Sequence, residues 1–299
     1  MVEHINGWLN IYKQKGLSSF FISKALKKKL KIKKIGHLGT LDPLAEGVLP
    51  IAIGEATKSI AFITNNNKRY SFKIKWGEEK DTCDEEGKTV YKSKERPTYK
   101  NIITVTREFF NGTISQIPPK YSAIKVNGVR AYKLARNNLK ITLNPRKVKI
   151  LKLKPDKPAN NNFCKFDLKC GSGTYVRSLA RDISRRLGTY GYAYEIIRTE
   201  NNAFNIKNSI SLDSILNLSV EDIKKKVLPI EFVLSDTRII ILEKKYSEML
   251  KNGMMVNCKL LNNKLTSKNK LILVKDNTRL VCIANLEKEH IVPRRNFNL

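Results

Sequence analysis

The sequence predicts an α+β protein with a large first domain and a small second domain built from β-strands. Helical periodicity and strict strand alternation occur together in the first 235 residues, whereas the later residues form short apolar runs separated by turns rich in Asn and Lys. The chain has 299 residues, 41% of them hydrophobic, so it is long enough to bury a sizeable core. We therefore predict one domain over residues 1–235 and another over residues 236–299.

The first predicted element is an amphipathic helix that begins at Ser18-Ser19. Serine at this position can cap a helix, because its side chain accepts a hydrogen bond from the backbone of the first turn. Lysines occupy the outer face, and the apolar residues that follow at helical spacing are Phe20, Phe21, Ile22, Ala25, Leu26 and Leu30. This helix leads into a glycine-rich segment at residues 36–54.

A half-buried strand is predicted next, over residues 70–77, because its residues alternate strictly. Ser and Lys fall on one face, and the other face carries Tyr70, Phe72, Ile74 and Trp76. Residues 81–88 are acidic and rich in turn formers, which predicts an exposed loop. A helix through residues 105–110 must end before Pro118-Pro119, since proline removes a backbone donor and clashes with the preceding turn.

Two more strands and a strong helix complete the first domain. The strands are predicted over residues 148–153 and 163–169. The apolar residues of the helix, from Tyr175 to Leu187, share one face, and its opposite or flanking face carries Arg177, Arg181 and Arg185. Gly188 stands where helix ends favour glycine. Beyond residue 236, we predict strands over residues 238–242, 270–274 and 280–284.

The composition favours a polyanionic partner. The chain has 57 Lys and Arg against 27 Asp and Glu, and this excess of +30 favours nucleic acid through phosphate contacts and counterion release. Lys and Asn are also abundant in plain surface stretches such as Lys27-Lys28-Lys29, so part of the excess reflects overall composition rather than one binding surface.

The sequence does not favour a metal site, a disulfide framework or a membrane segment. The five cysteines form no CxxC pair, and the three histidines lie far apart in the chain. No run of about 18 apolar residues occurs, and residues 1–4 lack the basic stretch and apolar core of a secretion signal. We expect a cytosolic protein that binds no metal.

The residues that could carry chemistry have ordinary structural explanations when each is considered alone. Asp42 before Pro43 resembles a helix N-cap or a turn. Glu46 could join Asp42 in a two-carboxylate glycosidase, although the intervening glycine and proline disfavour a rigid helical pairing. Residues 171–174 could hold a phosphate at a helix N-terminus, but they lack the lysine and spacing of a P-loop. Tyr70 alone suggests a packed aromatic residue, and Arg177 alone a surface residue of a helix.

Four blocks together resemble the signature segments of TruB-type pseudouridine synthases, in the same order and at similar spacing. The first block extends over residues 36–58 and contains Gly36-His37-Leu38-Gly39-Thr40-Leu41-Asp42-Pro43. The other blocks are Lys68-Arg69-Tyr70, Gln116-Ile117-Pro118-Pro119 with Tyr121-Ser122-Ala123, and Gly173-Thr174-Tyr175-Val176-Arg177-Ser178-Leu179. Agreement over four separate blocks argues against chance.

The resemblance implies a fold and a set of site residues. The fold is a central mixed, mostly antiparallel sheet flanked by helices, with a catalytic cleft across its middle and a small PUA-like, RNA-binding C-terminal domain. In the family, the aspartate at the position of Asp42 is the indispensable catalytic group, the arginine at the position of Arg177 pairs with it, and the tyrosine at the position of Tyr70 packs against the target base. The remaining substrate-binding positions correspond to His37, Tyr175, Ile197 and Lys13.

The chain departs from the family pattern at several points. Lys13-Gln14 replaces the usual Lys-Pro, and Ile197 stands where leucine is common, a change that conserves volume. Residues 188–198 are one residue longer than usual, and the C-terminal domain matches only loosely.

The implied reaction converts a uridine in the T loop of tRNA, at position 55, to pseudouridine without a cofactor. Asp42 could attack C1′ of the ribose as a nucleophile or remove a C2′ proton as a base, and both roles need an ionised carboxylate, which Arg177 would favour. Flipping the base out of its stack costs about a few kcal/mol, and stacking on Tyr70 would return about 1 to 3 kcal/mol.

Three alternatives remain open at this point. The first is the catalytic subunit of a guide-RNA particle; the compact C-terminal region and the lack of long terminal extensions favour instead a stand-alone monomer that binds the T arm. The second is an RNA-binding or RNA-chaperone protein that has lost catalysis, and the joint retention of Asp42, Tyr70 and Arg177 argues against it. The third is the glycosidase, which would need Glu46 in the cleft.

Overall fold

The computed structural model describes residues 5–63, 66–137, 139, 141–258 and 270–299. Residues 1–4, on which the expectation about a secretion signal depends, lie outside the described residues. Within the described part of the chain, no helix is long and apolar enough to cross a membrane. The five cysteines are free and buried.

The described residues form nineteen β-strands, seven α-helices and three short 3-10 helices. The strands are β1 (Gly7–Lys13), β2 (Ile35–His37), β3 (Glu46–Ile53), β4 (Lys68–Trp76), β5 (Glu78–Lys80), β6 (Thr89–Lys92), β7 (Gly112–Gln116), β8 (Lys125–Val126), β9 (Val129–Arg130), β10 (Arg146–Pro155), β11 (Phe163–Cys170), β12 (Gly191–Asn201), β13 (Phe204–Asn205), β14 (Ile210–Ser211), β15 (Arg238–Ile241), β16 (Val256–Asn257), β17 (Lys270–Lys275), β18 (Leu280–Glu287) and β19 (His290–Asn296). The α-helices are α1 (Ser19–Leu30), α2 (Tyr99–Phe109), α3 (Ala131–Arg136), α4 (Val176–Arg186), α5 (Leu212–Leu216), α6 (Val220–Lys225) and α7 (Lys244–Lys251). The 3-10 helices are Gly54–Phe62, Ile206–Asn208 and Ile230–Leu234.

Ten strands build one mixed, mostly antiparallel sheet. Its main path is β14-β1-β3-β12-β4-β11-β10-β7, while β2 pairs with β3 and β13 pairs with β12. Among the described pairs of this sheet, β1 with β14 and β3 with β12 are parallel, and the others are antiparallel. The predicted fold class is confirmed.

The main hydrophobic core forms where α1, α2 and α4 pack against one face of this sheet. The alternation predicted for β4 is present, since its buried residues on this face are Tyr70, Phe72, Ile74 and Trp76. The intervening residues of β4 are half-buried on the opposite face. Because paired residues of neighbouring strands point to the same side of a sheet, the strand register also decides which side chains of β12 can reach Tyr70.

A five-stranded sheet in the order β15-β17-β18-β19-β16, with α7 packed against it, forms the C-terminal region. Its strands β15, β17 and β18 correspond to the three predicted apolar runs. Leu273 and Ile283 of this region belong to the same hydrophobic cluster as Trp8 and Val48 of the first sheet. The two sheets therefore share a core, and the domain boundary between residues 235 and 236 stays a prediction.

Two segments differ from the sequence prediction. The loop at residues 81–88 is not exposed throughout, because it folds against α4 and leaves Cys83 and Asp84 only 4% and 2% exposed. In α1, Ile22 is buried, but the two residues before it are not, since Phe20 and Phe21 are 72% and 50% exposed.

Candidate active site

Asp42 lies in the loop between β2 and β3. The side chain of Ser19, in the first turn of α1, holds the backbone of this loop. The hydroxyl of Ser19 accepts a hydrogen bond from the amide of Leu41 and donates one to the carbonyl oxygen of the same residue, each 2.9 Å long. The amide of Ala45 donates to the carbonyl oxygen of Asp42 at 3.1 Å and closes a turn. Asp42-Pro43 therefore forms the turn that its sequence suggests, at a place decided by a contact with a distant helix.

Two side chains of β12 hold the first half of the same loop. Arg198 donates through Nη2 to the carbonyl oxygen of Gly39 at 2.8 Å, and Asn201 donates through Nδ2 to that of Leu38 at 2.6 Å. Gly39 has φ +71°, and a Cβ atom there would lie 3.0 Å from Cε of Lys68 and 3.4 Å from Nη1 of Arg198. Glycine is needed at this position because the backbone is left-handed and passes close to two cationic side chains.

Arg177, at the start of α4, bridges two aspartates. Its Nη2 atom lies 2.8 Å from Oδ2 of Asp42, and its Nη1 atom lies 3.1 Å from Oδ2 of Asp84. The guanidinium also donates to the carbonyl oxygens of Thr82 at 3.1 Å and Tyr121 at 2.9 Å. The side chains of Arg177 and Asp84 are 5% and 2% exposed, whereas that of Asp42 is 41% exposed. One carboxylate of the three groups is thus open to a ligand.

The pKa shifts of these groups follow from burial and mutual attraction. Burial by itself would lower the pKa of Arg177, but Asp42 and Asp84 outweigh it and raise that pKa. Burial raises the pKa of Asp84, against the attraction of Arg177. Arg177 therefore stays cationic and holds the Asp42 carboxylate through a charge-assisted hydrogen bond. Asp84 is not among the site residues predicted from the sequence, because it lies in the loop predicted to be exposed.

A glutamine at the end of β7 positions the start of α4. Gln116 accepts from the amide of Tyr175 at 2.9 Å through Oε1 and donates to its carbonyl oxygen at 3.2 Å through Nε2. The hydroxyl of Ser178 donates to the carbonyl oxygen of Ile117 at 2.8 Å. These contacts orient the first turn of α4, and with it Arg177, toward Asp42. The third sequence block thus meets the fourth block in space.

A cavity of about 280 Å³ opens between the Asp42 loop and α4. This volume lies at the small end for ligand pockets and suits a single nucleotide. The lining residues are Gly39, Thr40, Leu41, Asp42, Ala45, Lys68, Tyr70, Ala123, Gly173, Thr174, Tyr175, Val176, Arg177 and Ile196. Among the predicted site residues, the cavity brings together Asp42, Tyr70, Tyr175 and Arg177.

Tyr70 lies on the inner wall of the cavity beside a buried cation. The side chain of Arg198 is fully buried, and its guanidinium interacts with the hydroxyl of Tyr70. Burial raises the pKa of Tyr70 and lowers the pKa of Arg198. Arg198 also donates through Nε to the carbonyl oxygen of Val48 at 2.7 Å. Arg198 therefore ties the tyrosine to both ends of the Asp42 loop, a role that the sequence did not indicate.

Lys13 is a fully buried positioning residue outside the cavity lining. Its Nζ atom donates to the carbonyl oxygens of Gln14 at 3.1 Å, Leu17 at 2.6 Å and Pro43 at 3.1 Å. Burial lowers its pKa to about 8, against the attraction of Asp42. Lys13 thus anchors the backbone that follows Asp42, and this contact does not require it to touch a substrate.

Lys68 is the second lysine with a lowered pKa, and it does line the cavity. Burial, followed by repulsion from Arg198, lowers its pKa to about 8. Its Nζ atom lies 3.0 Å from Oδ1 of Asn66, and it forms no ion pair with any described residue. Lys68 also lines an adjacent polar depression of about 210 Å³. Lys68 therefore lines both openings with an ammonium group that no described carboxylate pairs.

His37 lies behind the cavity wall. Its Nδ1 atom lies 3.3 Å from Oγ of Ser23, and its Nε2 atom lies 3.0 Å from Oγ1 of Thr40, which lines the cavity. Burial, followed by repulsion from Arg198, lowers the pKa of His37. Near pH 7, His37 is therefore a neutral imidazole that links α1 to Thr40.

Ile196, rather than the predicted Ile197, lines the cavity. The strand β12 contains a one-residue bulge between Tyr194 and Ile197, where Glu195 has φ +48°. After the bulge, Ile197 pairs with Ser71 and therefore points to the face opposite Tyr70. The bulge therefore decides which side chain of this stretch faces the cavity.

Glu46, the second carboxylate of the glycosidase hypothesis, is not among the residues that line the cavity. It pairs with Ile197 on the opposite face of the sheet, and its carboxylate interacts with the hydroxyl of Tyr12. Burial, followed by this carboxylate, raises the pKa of Tyr12 to about 12. The arrangement offers no pair of carboxylates across a shared substrate, which the glycosidase reaction needs.

The fold resembles those of solved RNA-protein complexes. A chain described as "Structure of H/ACA RNP bound to a substrate RNA containing 2'-deoxyuridine" superposes with a TM-score of 0.73 at 19% identity and covers 98% of this chain and 85% of its own. A chain of the "Crystal structure of the archaeal box H/ACA sRNP Nop10-Cbf5 complex" gives a TM-score of 0.73 at 20% identity, with 99% and 87% coverage. At these identities the likeness concerns the fold.

Sequence comparison gives a closer relationship. Residues 27–176 match the family model of the "TruB family pseudouridylate synthase (N terminal domain)". The chain is 40% identical to the tRNA pseudouridine synthase B of Ehrlichia ruminantium, with 98% of this chain and 99% of the relative covered. It is 38% identical to the proteins of that name from Bradyrhizobium diazoefficiens, with 99% and 86% covered, and Clostridium tetani, with 95% and 97% covered. The chain therefore belongs to the TruB family of pseudouridylate synthases.

Proposed function

We propose that this protein converts uridine 55, in the T loop of tRNA, to pseudouridine, and that Asp42 is its catalytic residue. The relatives that match almost the whole chain at 38% to 40% identity carry the name tRNA pseudouridine synthase B. The observation that carries the proposal is the Asp42 carboxylate, 41% exposed, held 2.8 Å from an almost fully buried Arg177 in a cavity that suits one nucleotide.

The reaction needs only rearrangement of bonds within the substrate. The bond between N1 of uracil and C1′ of ribose breaks, the base turns, and C5 bonds to the same C1′ atom. The proton on C5 is then lost, and N1 gains one, so that atoms and electrons balance without a redox partner. We propose no cofactor and no metal in this reaction.

Asp42 can serve this reaction in two ways. As a nucleophile, its carboxylate would bond to C1′ and later leave when C5 attacks. As a base, it would remove the C2′ proton to form a glycal and later return that proton. Both routes need an oriented carboxylate, and the contact with Arg177 orients that of Asp42. Both routes also fit the single accessible carboxylate.

The other cavity residues would bind the flipped nucleotide. Tyr70 and Tyr175 supply aromatic surface for the base, and stacking of this kind contributes about 1 to 3 kcal/mol per base. Lys68 would contact a phosphate in its cationic form. Lys13 and His37 would support the loop around Asp42, and Ile196 would take the place expected of Ile197 in the pocket.

We propose that the enzyme acts alone, as a monomer that binds the T arm of tRNA through its basic surface and a PUA-like C-terminal domain at residues 236–299. The net charge of +30 supports strong phosphate contacts. The 38% to 40% identity to relatives named for a tRNA reaction supports this form over the guide-RNA subunit, and the chains from solved H/ACA RNP and sRNP complexes share the fold at 19% to 20% identity.

The test is to incubate purified protein with an unmodified tRNA transcript, without guide RNA or metal, and to map pseudouridine at each uridine. We expect one modified uridine, at position 55. A matched transcript with cytidine at position 55 should stay unmodified throughout. The stand-alone hypothesis fails if the intact transcript remains unmodified until a guide RNA is added.

A further inference from the structure

One face of α1 combines exposed aromatic rings with lysines. Phe20 and Phe21, in its first turn, are among the most exposed large apolar side chains of the described chain. Exposed lysines follow at helical spacing, four, seven, eight and eleven positions after Phe20. We call this surface the α1 face, and it consists of Phe20, Phe21, Lys24, Lys27, Lys28 and Lys31.

The lysines of the α1 face have no carboxylate partner among the described residues. Residues 15–34 contain eight lysines and no aspartate or glutamate. The lysines near its two ends, Lys15 and Lys34, lie against Glu85 and Glu55, whereas the four lysines of the α1 face form no ion pair with any described residue. Unpaired lysines on an exposed helix attract phosphates, and exposed aromatic rings beside them can stack on bases.

The helix that carries the α1 face contacts the cavity wall through its other side. Ser19, directly before Phe20, makes both hydrogen bonds to Leu41, which lines the cavity. One turn later, Ser23 contacts His37, which contacts Thr40 on the cavity wall. The buried side of α1 therefore packs directly on the Asp42 loop, and the helix that carries the α1 face also supports the cavity wall.

We propose that the α1 face binds the RNA strand that flanks the target nucleotide. Phe20 and Phe21 stack on bases next to the one that enters the cavity, and the four lysines contact the phosphates that follow. The face is about 16 Å long, at 1.5 Å per residue, and so can accompany several nucleotides. This proposal rests on the proposed function, because it takes the target RNA to be the one that Asp42 modifies.

The charge of the α1 face decides between RNA and a protein partner. A second copy of this chain would bring the same lysines against this surface, and like charges in contact are unfavourable. Protein interfaces are in general depleted of lysine. RNA supplies both the negative charge for the lysines and the flat apolar surfaces for Phe20 and Phe21.

The first experiment replaces both aromatic residues and measures binding and turnover on an isolated T-arm hairpin transcript. We expect the Phe20→Ala/Phe21→Ala protein to bind the hairpin about fivefold to a hundredfold more weakly, because neither position can then stack on a base. Turnover at saturating hairpin should change less than twofold. Phe109→Ala is the matched control, since Phe109 is 43% exposed on α2, which packs against β10.

The outcomes of this experiment separate the two proposals. If wild-type protein binds the hairpin but forms no pseudouridine, the proposed function fails, while the binding comparison still tests the α1 face. If wild-type protein modifies the hairpin and the double variant binds it within twofold of wild type, the α1 face does not contact the flanking strand. A weakening that occurs with whole tRNA but not with the hairpin also contradicts the proposed location.

The second experiment tests the lysines through the salt dependence of binding. The Lys24→Ala/Lys27→Ala/Lys28→Ala protein should reduce the slope of log affinity against log salt by about 0.7 to 0.9 for each phosphate that the protein no longer neutralises. A control with the same net charge is Lys92→Ala/Lys94→Ala/Lys100→Ala, which removes three exposed lysines of β6, the loop after it and α2. Equal changes of slope in the two proteins would overturn the proposal.

The third experiment reports contact directly. Phe20→Trp places an indole on the α1 face, while the native Trp8 and Trp76 are buried. We expect the added fluorescence to be quenched as the hairpin is titrated, with affinity close to that of wild type. Unchanged fluorescence at saturation contradicts stacking. A fluorescence change that depends on protein concentration without RNA would show instead that the face mediates self-association.

Discussion

The interior of the cavity and the α1 face are both rich in positive charge, but their charges are arranged in opposite ways. Inside, Arg177 and Arg198 are buried, and each donates several hydrogen bonds to carboxylates or carbonyl oxygens. Outside, the four lysines of the α1 face are exposed and form no ion pair with any described residue. The inner cations are constrained to one geometry, whereas the outer ones are free to follow a flexible strand.

This difference assigns different roles to the two regions. A buried charge costs much free energy unless partners compensate it, so its removal disturbs the arrangement of the site. An exposed lysine contributes little to folding and mainly strengthens encounters with a polyanion. We therefore expect changes in the interior to alter turnover and stability, and changes on the α1 face to alter affinity and its dependence on salt.

Asp42→Asn should have the largest effect on turnover. The amide is nearly isosteric but can neither attack C1′ nor take a proton, so we expect a loss of about 10⁴-fold or more in pseudouridine formation. Binding of a tRNA transcript, measured by filter retention, should stay within about threefold because the shape of the cavity is kept. Glu46→Gln is the control, and a comparable loss in that variant would revive a two-carboxylate mechanism.

Arg177→Met should damage both turnover and stability. Removing the arginine leaves Asp84 buried without its cation, which we expect to lower the free energy of unfolding in urea by about 3 to 5 kcal/mol. Adding Asp84→Asn should restore part of that stability but not the single-turnover rate, because Asp42 still lacks its partner. Full recovery of the rate in the double variant would show that Arg177 acts only as a structural residue.

Tyr70→Ala should lower turnover more than affinity, because its ring belongs to the inner wall, where only the flipped nucleotide can reach it. Loss of stacking predicts a rate reduced about fivefold to a hundredfold in single-turnover assays. Tyr70→Phe keeps the ring and removes the hydroxyl beside Arg198, so its rate should lie close to that of wild type. An unchanged rate in the alanine variant would exclude Tyr70 from the site.

Lys68 should give the smallest effect, a loss of affinity at alkaline pH. Its folded pKa of about 8 lies below its ordinary value of 10.5, so the cation is present below pH 8 and is lost as the pH rises through 8. We expect tRNA affinity to fall by up to about tenfold between pH 7 and pH 9, because the cationic fraction of a group with a pKa of about 8 falls roughly tenfold over that range. Lys68→Arg should flatten this profile, and an unchanged profile would assign the effect elsewhere.

The same pKa predicts how Lys68 affects folding. Because burial lowers the folded pKa below the unfolded value, the unfolded chain binds more protons between pH 8 and pH 10.5, and stability gains from rising pH in that range. The cationic form therefore destabilises the folded protein below pH 8. The cost of keeping this lysine in the cavity supports a role for Lys68 in substrate binding.

The local elements could be predicted because their signals are short-range. The alternation in β4 and the apolar stripe of α4 depend on residues two to four positions apart, and both elements occur as predicted. Phe20 and Phe21 belong to the apolar pattern of α1 but are exposed. Hydrophobicity alone does not report whether another element covers a side chain. The buried loop around Asp84 was missed for the same reason, since its acidic sequence suggests solvent until Arg177 is placed beside it.

At the site, the sequence alone is sufficient to recognise the TruB family and to single out Asp42 and the blocks that surround it. It also determined the turn at Asp42-Pro43, which depends on neighbouring residues. The contacts of the folded chain are needed to show that Arg198 and Lys13 hold the Asp42 loop. They also show that a bulge turns Ile196 rather than Ile197 toward the cavity. The same holds for the exposure of Phe20 and Phe21 to solvent. These facts depend on contacts between residues far apart in the chain, whose free energies depend on distance and burial that no local pattern encodes.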